Sequence, residues 1–197
     1  MAKKKIDRIG IILEFLKEIE KLKLIERKVF VSNKSRFENS AEHSWHLAMF
    51  VLLFEKDLPK NIDVTKMLKM VLIHDLVEIY AGDTFFFDEE QRKSKREREE
   101  RAAKRLFNKL PKDLKGNFRQ LFIEYESKET KESKIVSSFD KLQPMLQNIV
   151  SGGYSWKLNK LTSDDVDRRK KEHMLHSQIT SDIYRKLLAE AQKKKLL

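Results

Sequence analysis

Apolar residues recur with the period of a helix along nearly the whole chain, and few breakers interrupt them. Residues 7–24 place Ile9, Ile12, Leu13, Leu16, Ile19, Leu22 and Leu24 close to a helical repeat. Only five glycines and three prolines occur in 197 residues, and Lys, Glu, Leu and Arg dominate, which favours helix over sheet. The pattern predicts seven helices and an all-α fold. Residues 25–39 break the period and read as an extended loop, with a short strand at "VFV". Asn39 and Glu42 then have the spacing of a capping box, which opens a helix from Ser40 to Asp57. Further helices are expected over 64–80 (stopped by Gly82), 88–110 (stopped near Pro111), 111–126, 131–151 and 163–193. "SGGYS" at 151–155 is the clearest turn. A chain of this length suits one compact domain, 1–197, with a sizeable core.

Several function classes are excluded early. There is no cysteine, so disulfides, thiolate zinc sites and a Cys nucleophile are absent, and any metal must be held by N and O ligands. No apolar run approaches a membrane span, and the start "MAKKKIDRIG" lacks the apolar segment of a secretory signal. A cytoplasmic protein with no membrane partner is expected. The net charge of +11 attracts polyanions in general. Much of it lies in mixed-sign segments such as "EEQRKSKREREERAAKR", which read as exposed helix faces. A basic helical nucleic-acid binder would show salt-dependent binding to any DNA or RNA. No nucleic-acid motif supports that reading, and nucleic acid is not an expected partner.

The segment "LKMVLIHDLVEIYAGD", Leu68–Asp83, is where chemistry enters. Val71, Leu72, Ile73, Leu76, Val77 and Ile79 surround His74 and Asp75, the pattern of a buried helix. His74, Asp75 and Glu78 share one face of it. Burying such groups is costly without partners. A plain His–Asp hydrogen bond would satisfy an isolated pair. Two other segments favour a cation. "AEHSWHLA" sets His43 and His46 one turn apart, on a face with Leu47, Phe50 and Phe54. "SKIVSSFDKLQPMLQNIV" sets Asp140 at the edge of a stripe of Ile135, Val136, Phe139, Leu142, Leu146 and Ile149. His43, His74, Asp75 and Asp140 would form an N2O2 set suited to one divalent ion among Mn, Co, Fe, Ni, Zn or Mg.

The ordered pattern His…His-Asp…Asp resembles that of the HD-domain metal-dependent phosphohydrolases. The blocks "ENSAEHSWHLA", "LIHDLVEIYAGDT" and "EYESKETKESKIVSSFDKLQPMLQ" resemble the 5′-deoxynucleotidase branch, over about residues 13–151. The opening "LKLIERK", followed by "SRFEN", is similar to that branch's phosphate-contacting region. The resemblance implies a compact helical HD bundle that hydrolyses nucleoside 5′-monophosphates. It implies His43, His74, Asp75 and Asp140 as metal ligands, and Glu78 as the catalytic glutamate. Asp83 would meet the sugar or assist the leaving group. Arg27 would grip the phosphate, with Arg36 as a second candidate. Lys28 stands where the bacterial enzyme has an aromatic residue, a departure at the nucleoside-stacking position. His46 has no role in the family pattern and reads as a structural neighbour. The resemblance also implies a homodimer, with the long last helix as a candidate support.

Overall fold

The computed structural model describes residues 7–197. Helix α1 (Arg8–Ile19) starts at Asp7, whose carboxylate accepts from the Gly10 amide at 2.9 Å, and it runs on through a 3-10 turn at Glu20–Leu24. The period break that follows is an antiparallel ribbon, β1 (Glu26–Phe30) and β2 (Phe37–Asn39), with Glu26 opposite Asn39 and Phe30 opposite Phe37. The strand therefore starts three residues before "VFV". Helix α2 (Ser40–Leu53) opens in the expected capping box. Asn39 Oδ1 accepts from the Glu42 amide (2.9 Å), and the Glu42 carboxylate accepts from the Asn39 amide (3.1 Å).

The helix expected over 64–80 is segmented. Helix α3 (Val64–Ile73) gives way to a 3-10 turn at His74–Val77, then to the short α4 (Glu78–Ala81). Gly82, at φ +75°, ends it in the left-handed region that a glycine tolerates. Ser94 divides the next expected helix into α5 (Glu89–Lys93) and α6 (Lys95–Phe107). Helices α7 (Lys112–Ser127) and α8 (Lys131–Val150) follow, then α9 (Tyr154–Leu158) after the glycine turn. The last expected helix is also broken, into α10 (Ser163–Lys170), a 3-10 turn and α11 (Gln178–Lys193). Ser177 caps α11, and the Thr180 and Ser181 hydroxyls each donate to the Met174 carbonyl at 2.8 Å, which holds the corner. The fold is all-α, with more helical pieces than the seven expected because three long helices are interrupted and α9 is added after the glycine turn.

Two apolar clusters make the core. In the first, α2, α3 and α11 pack around α8, which contributes Ile135, Val136, Phe139, Leu142 and Met145. The second gathers Phe15 and Leu22 with Leu106, Phe107 and Phe122. Residues of α3 and its 3-10 turn belong to both: Met70 and Val71 face the first, Ile73, Leu76 and Val77 the second. The His74–Val77 turn thus sits at the seam between the clusters. The segment is not apolar-packed all round, since Leu72 is 57% exposed. No helix among the described residues is long and apolar enough to cross a membrane.

Candidate metal centre

Three segments distant in sequence meet at the seam. His43 comes from the second turn of α2, His74 and Asp75 from the 3-10 turn, and Asp140 from the middle of α8. His43, His74 and Asp75 are buried, and one ligand atom from each lies within 4.8 Å of the others. Asp140 closes the group. Its Oδ1 is 3.1 Å from His43 Nε2 and 3.9 Å from His74 Nε2. The 3-10 turn lets His74 and Asp75, adjacent in sequence, both reach this point: His74 Nε2 is 3.1 Å from Asp75 Oδ1.

The hydrogen bonds fix the tautomers of both imidazoles. Gln143 Nε2 lies 2.7 Å from Glu38 Oε1 and 3.2 Å from His46 Nδ1, so the amide nitrogen donates to both. Gln143 Oε1 must then accept from His43 Nδ1, at 2.8 Å. His74 Nδ1 donates to the Val71 carbonyl at 2.7 Å. Burial, with Arg27 next, lowers the His43 pKa, and burial lowers that of His74 to about 4 against the opposing pull of Asp140, so both rings are neutral. Each Nε2 is then a bare lone pair. His74 Nε2 is buried with no hydrogen-bond partner. Two imidazole nitrogens and two acidic side chains thus converge on one point, an arrangement that a cation would satisfy. The residues fit a divalent ion: the donors are two imidazoles and two carboxylates, each imidazole oriented by a partner on its far nitrogen.

The carboxylates around this point outnumber their cations. Glu38, Asp75 and Glu78 are buried, and the Asp83 side chain is 12% exposed. Burial pushes the Asp75 carboxyl up to about 8, with Arg27 opposing and Asp140 and Asp83 adding. Glu78 is pushed well above the ordinary range by burial and then by Asp75 and Asp83, while the Ser40 hydroxyl donates to its Oε2 at 2.7 Å. Arg27, on β1, donates from Nη1 to Asp75 Oδ2 at 3.0 Å and lies 3.8 Å from Asp83 Oδ1. Its Nε is buried without a partner, 3.8 Å from Glu38 Oε2. Asp75, Glu78, Asp83, Arg27 and Lys28 all line one cleft that opens over His74 and Asp140.

Not every expected residue joins this group. Arg36 donates to the Glu42 carboxylate at 2.8 and 2.6 Å and to the Phe37 carbonyl, on the exposed side of β2, and does not line the cleft. Its place as a second phosphate contact is withdrawn: the capping glutamate of α2 holds it elsewhere. His46 accepts from Gln143 and is not a member of the ligand cluster. Four residues absent from the motif reading border the site. Gln143 and Glu38 orient His43. Tyr125 donates to Asp140 Oδ2 at 3.0 Å and sets its ring edge against His74. Lys95 lines the cleft, 3.3 Å from Glu99. None of the four carried a sequence signal, since their roles arise from contacts between segments distant in the chain.

Comparison with known proteins places this arrangement. A sequence model described as HD domain matches residues 19–181. The 5′-deoxynucleotidase HDDC2 of Homo sapiens is 29% identical over 137 residues, which is 69% of this chain and 66% of that protein. The Bos taurus protein of the same name is 33% identical, over 69% of this chain and 65% of its own length. The chain thus spans just under two thirds of these relatives. Among solved structures, that of a predicted metal-dependent phosphohydrolase from Magnetospirillum magnetotacticum MS-1 superposes with a TM-score of 0.91 at 37% identity, covering 100% of this chain and 99% of that one. A conserved hypothetical protein from Pyrococcus furiosus has a TM-score of 0.62 at 27% identity, with 92% and 99% covered. From the match over residues 19–181, with His43, His74, Asp75 and Asp140 gathered at one point, the chain belongs to the HD-domain family.

Proposed function

We propose that the chain is a metal-dependent phosphomonoesterase acting on deoxynucleoside 5′-monophosphates, with His43, His74, Asp75 and Asp140 as the metal ligands. The observation that carries this is the convergence of two imidazole nitrogens, that of His74 without a hydrogen-bond partner, on the side chains of Asp75 and Asp140, beside Arg27 in an open cleft. The names of the similar human and bovine proteins supply the substrate class. When bound, a divalent ion would supply Lewis acidity for activating water and would offset phosphate charge. Arg27 would hold phosphate oxygens, a task suited to a guanidinium already desolvated and aimed into the cleft. Glu78, buried beside Asp75 with the Ser40 hydroxyl donating to its Oε2 and lining the same cleft, would orient the attacking water and take its proton. Asp83 reaches the same cleft and would meet the sugar or the leaving oxygen. Helix α11 and the 3-10 turn before it pack on α8, and Lys170 of α10 lines the cleft, so the whole chain would act as a single domain.

The test is a phosphatase assay on metal-loaded protein, with and without chelator, over a panel of nucleoside monophosphates and sugar phosphates. Chelator-sensitive release of phosphate from deoxynucleotides is expected. No hydrolysis across the panel by fully loaded protein ends this reading. A nucleotide substrate also supports a cytoplasmic location. A homodimer belongs to the same proposal, and its support lies away from the last helix. Ile183, Tyr184, Leu187 and Ala191 of α11 are buried within the chain against α8. The unpartnered apolar surface is instead a groove of α2, α3 and α7, where Trp45 is 65% and Leu72 57% exposed beside Phe118 and Leu121. Trp45→Glu should therefore convert a dimer into a monomer in analytical ultracentrifugation, and an unchanged mass would remove this face from consideration.

A further inference from the structure

Between α4 and α5 the chain runs as a strap along one side of the cleft. Asp83, Thr84, Phe85, Phe86 and Phe87 all line the cleft from it. Little within the strap holds its first residues in place. A Cβ at Gly82 would meet no atom within 4 Å, so packing does not seat the backbone there. Asp83 makes no hydrogen bond among the described residues, and its ion pair is with Arg27 at 3.8 Å. What fixes this end of the strap comes from outside it. Arg98, half-buried near the start of α6, donates from Nη1 to the Ala81 carbonyl at 2.5 Å and from Nη2 to the Thr84 hydroxyl at 2.9 Å. These two acceptors bracket Gly82 and Asp83. The same Nη2 donates to the Gln91 carbonyl at 3.2 Å, and Nε donates to the Ser94 hydroxyl at 3.2 Å. One guanidinium thus reaches both ends of the segment from Ala81 to Ser94.

No carboxylate pairs with Arg98 among the described residues. Its donors go to neutral oxygens, two carbonyls and two hydroxyls. A rigid planar fork can serve four such acceptors at once, whereas a single ammonium nitrogen cannot reach them together. Arg98 does not itself line the cleft, so its effect on a bound molecule runs through the strap. We propose that Arg98 is a positioning residue for the reaction. By clipping Ala81 and Thr84 to α6 it sets Asp83 at the substrate, and by holding Gln91 and Ser94 it keeps the phenylalanine wall beside it. The inference rests on the nucleotide reading above, through the place given there to Asp83.

The test compares Arg98→Met and Arg98→Lys with the wild type, each also in an Asp83→Ala background. On the best deoxynucleotide of the panel, kcat/KM should fall about tenfold or more in Arg98→Met. Arg98→Lys should not restore it, since lysine keeps the charge and loses the fork. In the Asp83→Ala background the same substitutions should cost less than about threefold, because the side chain they position is gone. Mn²⁺ affinity should match that of the wild type, which a general loosening of the fold would not leave untouched. Hydrogen exchange followed by mass spectrometry needs no turnover. Amides of residues 82–94 should exchange faster in Arg98→Met, and those of α8 should not. If Arg98→Met does not fold, Arg98→Lys carries both measurements. Full rescue by lysine, equal losses with and without Asp83, or unchanged exchange over 82–94 overturns the positioning role and leaves the hydrolase reading intact. Faster exchange over 82–94, in a protein whose wild type hydrolyses no nucleotide, removes the hydrolase reading and the role of Asp83 while the clip stands.

Discussion

Gln143 shows how a single buried amide can settle the tautomer of a buried imidazole. It spends both amide hydrogens on Glu38 and His46, so only its oxygen is left for His43. His43 is thereby held with its proton away from the centre and its lone pair toward it. Gln143→Leu should keep the fold, since the residue is fully buried on an apolar helix, but weaken divalent-metal affinity about 10–100-fold in competition titration. Unchanged affinity would show that the tautomer is set some other way. Two further substitutions separate binding from turnover. Asp75→Ala should remove both, because the carboxylate faces His74 directly. Glu78→Ala should spare metal binding and lower kcat by about 10²-fold or more, measured on the best substrate of the panel. The gathering of His43, His74, Asp75 and Asp140 was legible because His, His-Asp and Asp occur at readable places on three amphipathic patterns. Gln143 and Glu38 were not, because their roles arise only when β2 and α2 lie against α8. Arg36 was misplaced for the same kind of reason: its partner, Glu42, belongs to a capping box that was itself visible, but the pairing across the turn was not.

At the scale of elements, the local signals that end helices were the most dependable. The capping box at Asn39 sets the start of α2 and so the height of His43, one turn further on. Asn39→Ala should cost about 1 kcal/mol in urea unfolding. The interruptions inside long helices were harder to see. A helical apolar period continues through His74–Val77, and nothing in it distinguishes a 3-10 turn from an α-helical one. What selects the tighter turn is the meeting of two clusters on either side of it. Helix α1 is tied to this region by Glu18, which accepts from the Tyr80 hydroxyl at 2.6 Å, from Lys21 at 2.9 Å and from Lys109 at 3.0 Å. These contacts, the Tyr80 hydrogen bond first, hold the Glu18 carboxyl at about 2 against an ordinary 4.5. A folded-state pKa below the unfolded one stabilises the fold above the unfolded value. The stabilisation then falls away as pH drops from 4.5 through about 2. Glu18→Gln should flatten the stability profile in that window, followed by denaturant unfolding at a series of pH values. An unchanged slope would show that the cluster contributes nothing to folding.

The whole molecule is organised around the seam between its two apolar clusters. Helices α2, α3 and α8 bring their polar residues to one edge of the first cluster, and the 3-10 turn carries His74 and Asp75 from there toward the second. The class of fold followed from helical periodicity and the scarcity of breakers. The relative placement of the helices did not, since it depends on contacts between residues as far apart as His43 and Asp140. A site assembled this way gathers costly groups in the folded chain: two unprotonated imidazole nitrogens, that of His74 without a partner, beside several buried carboxyl groups. A divalent cation held by His43, His74, Asp75 and Asp140 would resolve them. Calorimetric titration of chelator-stripped protein with Mn²⁺ tests this most directly, comparing the wild type with Asp75→Ala. One ion bound per chain is expected in the wild type and none in the variant. No binding of Mn²⁺ by the folded wild type, or equal binding by the Asp75→Ala protein, would contradict it.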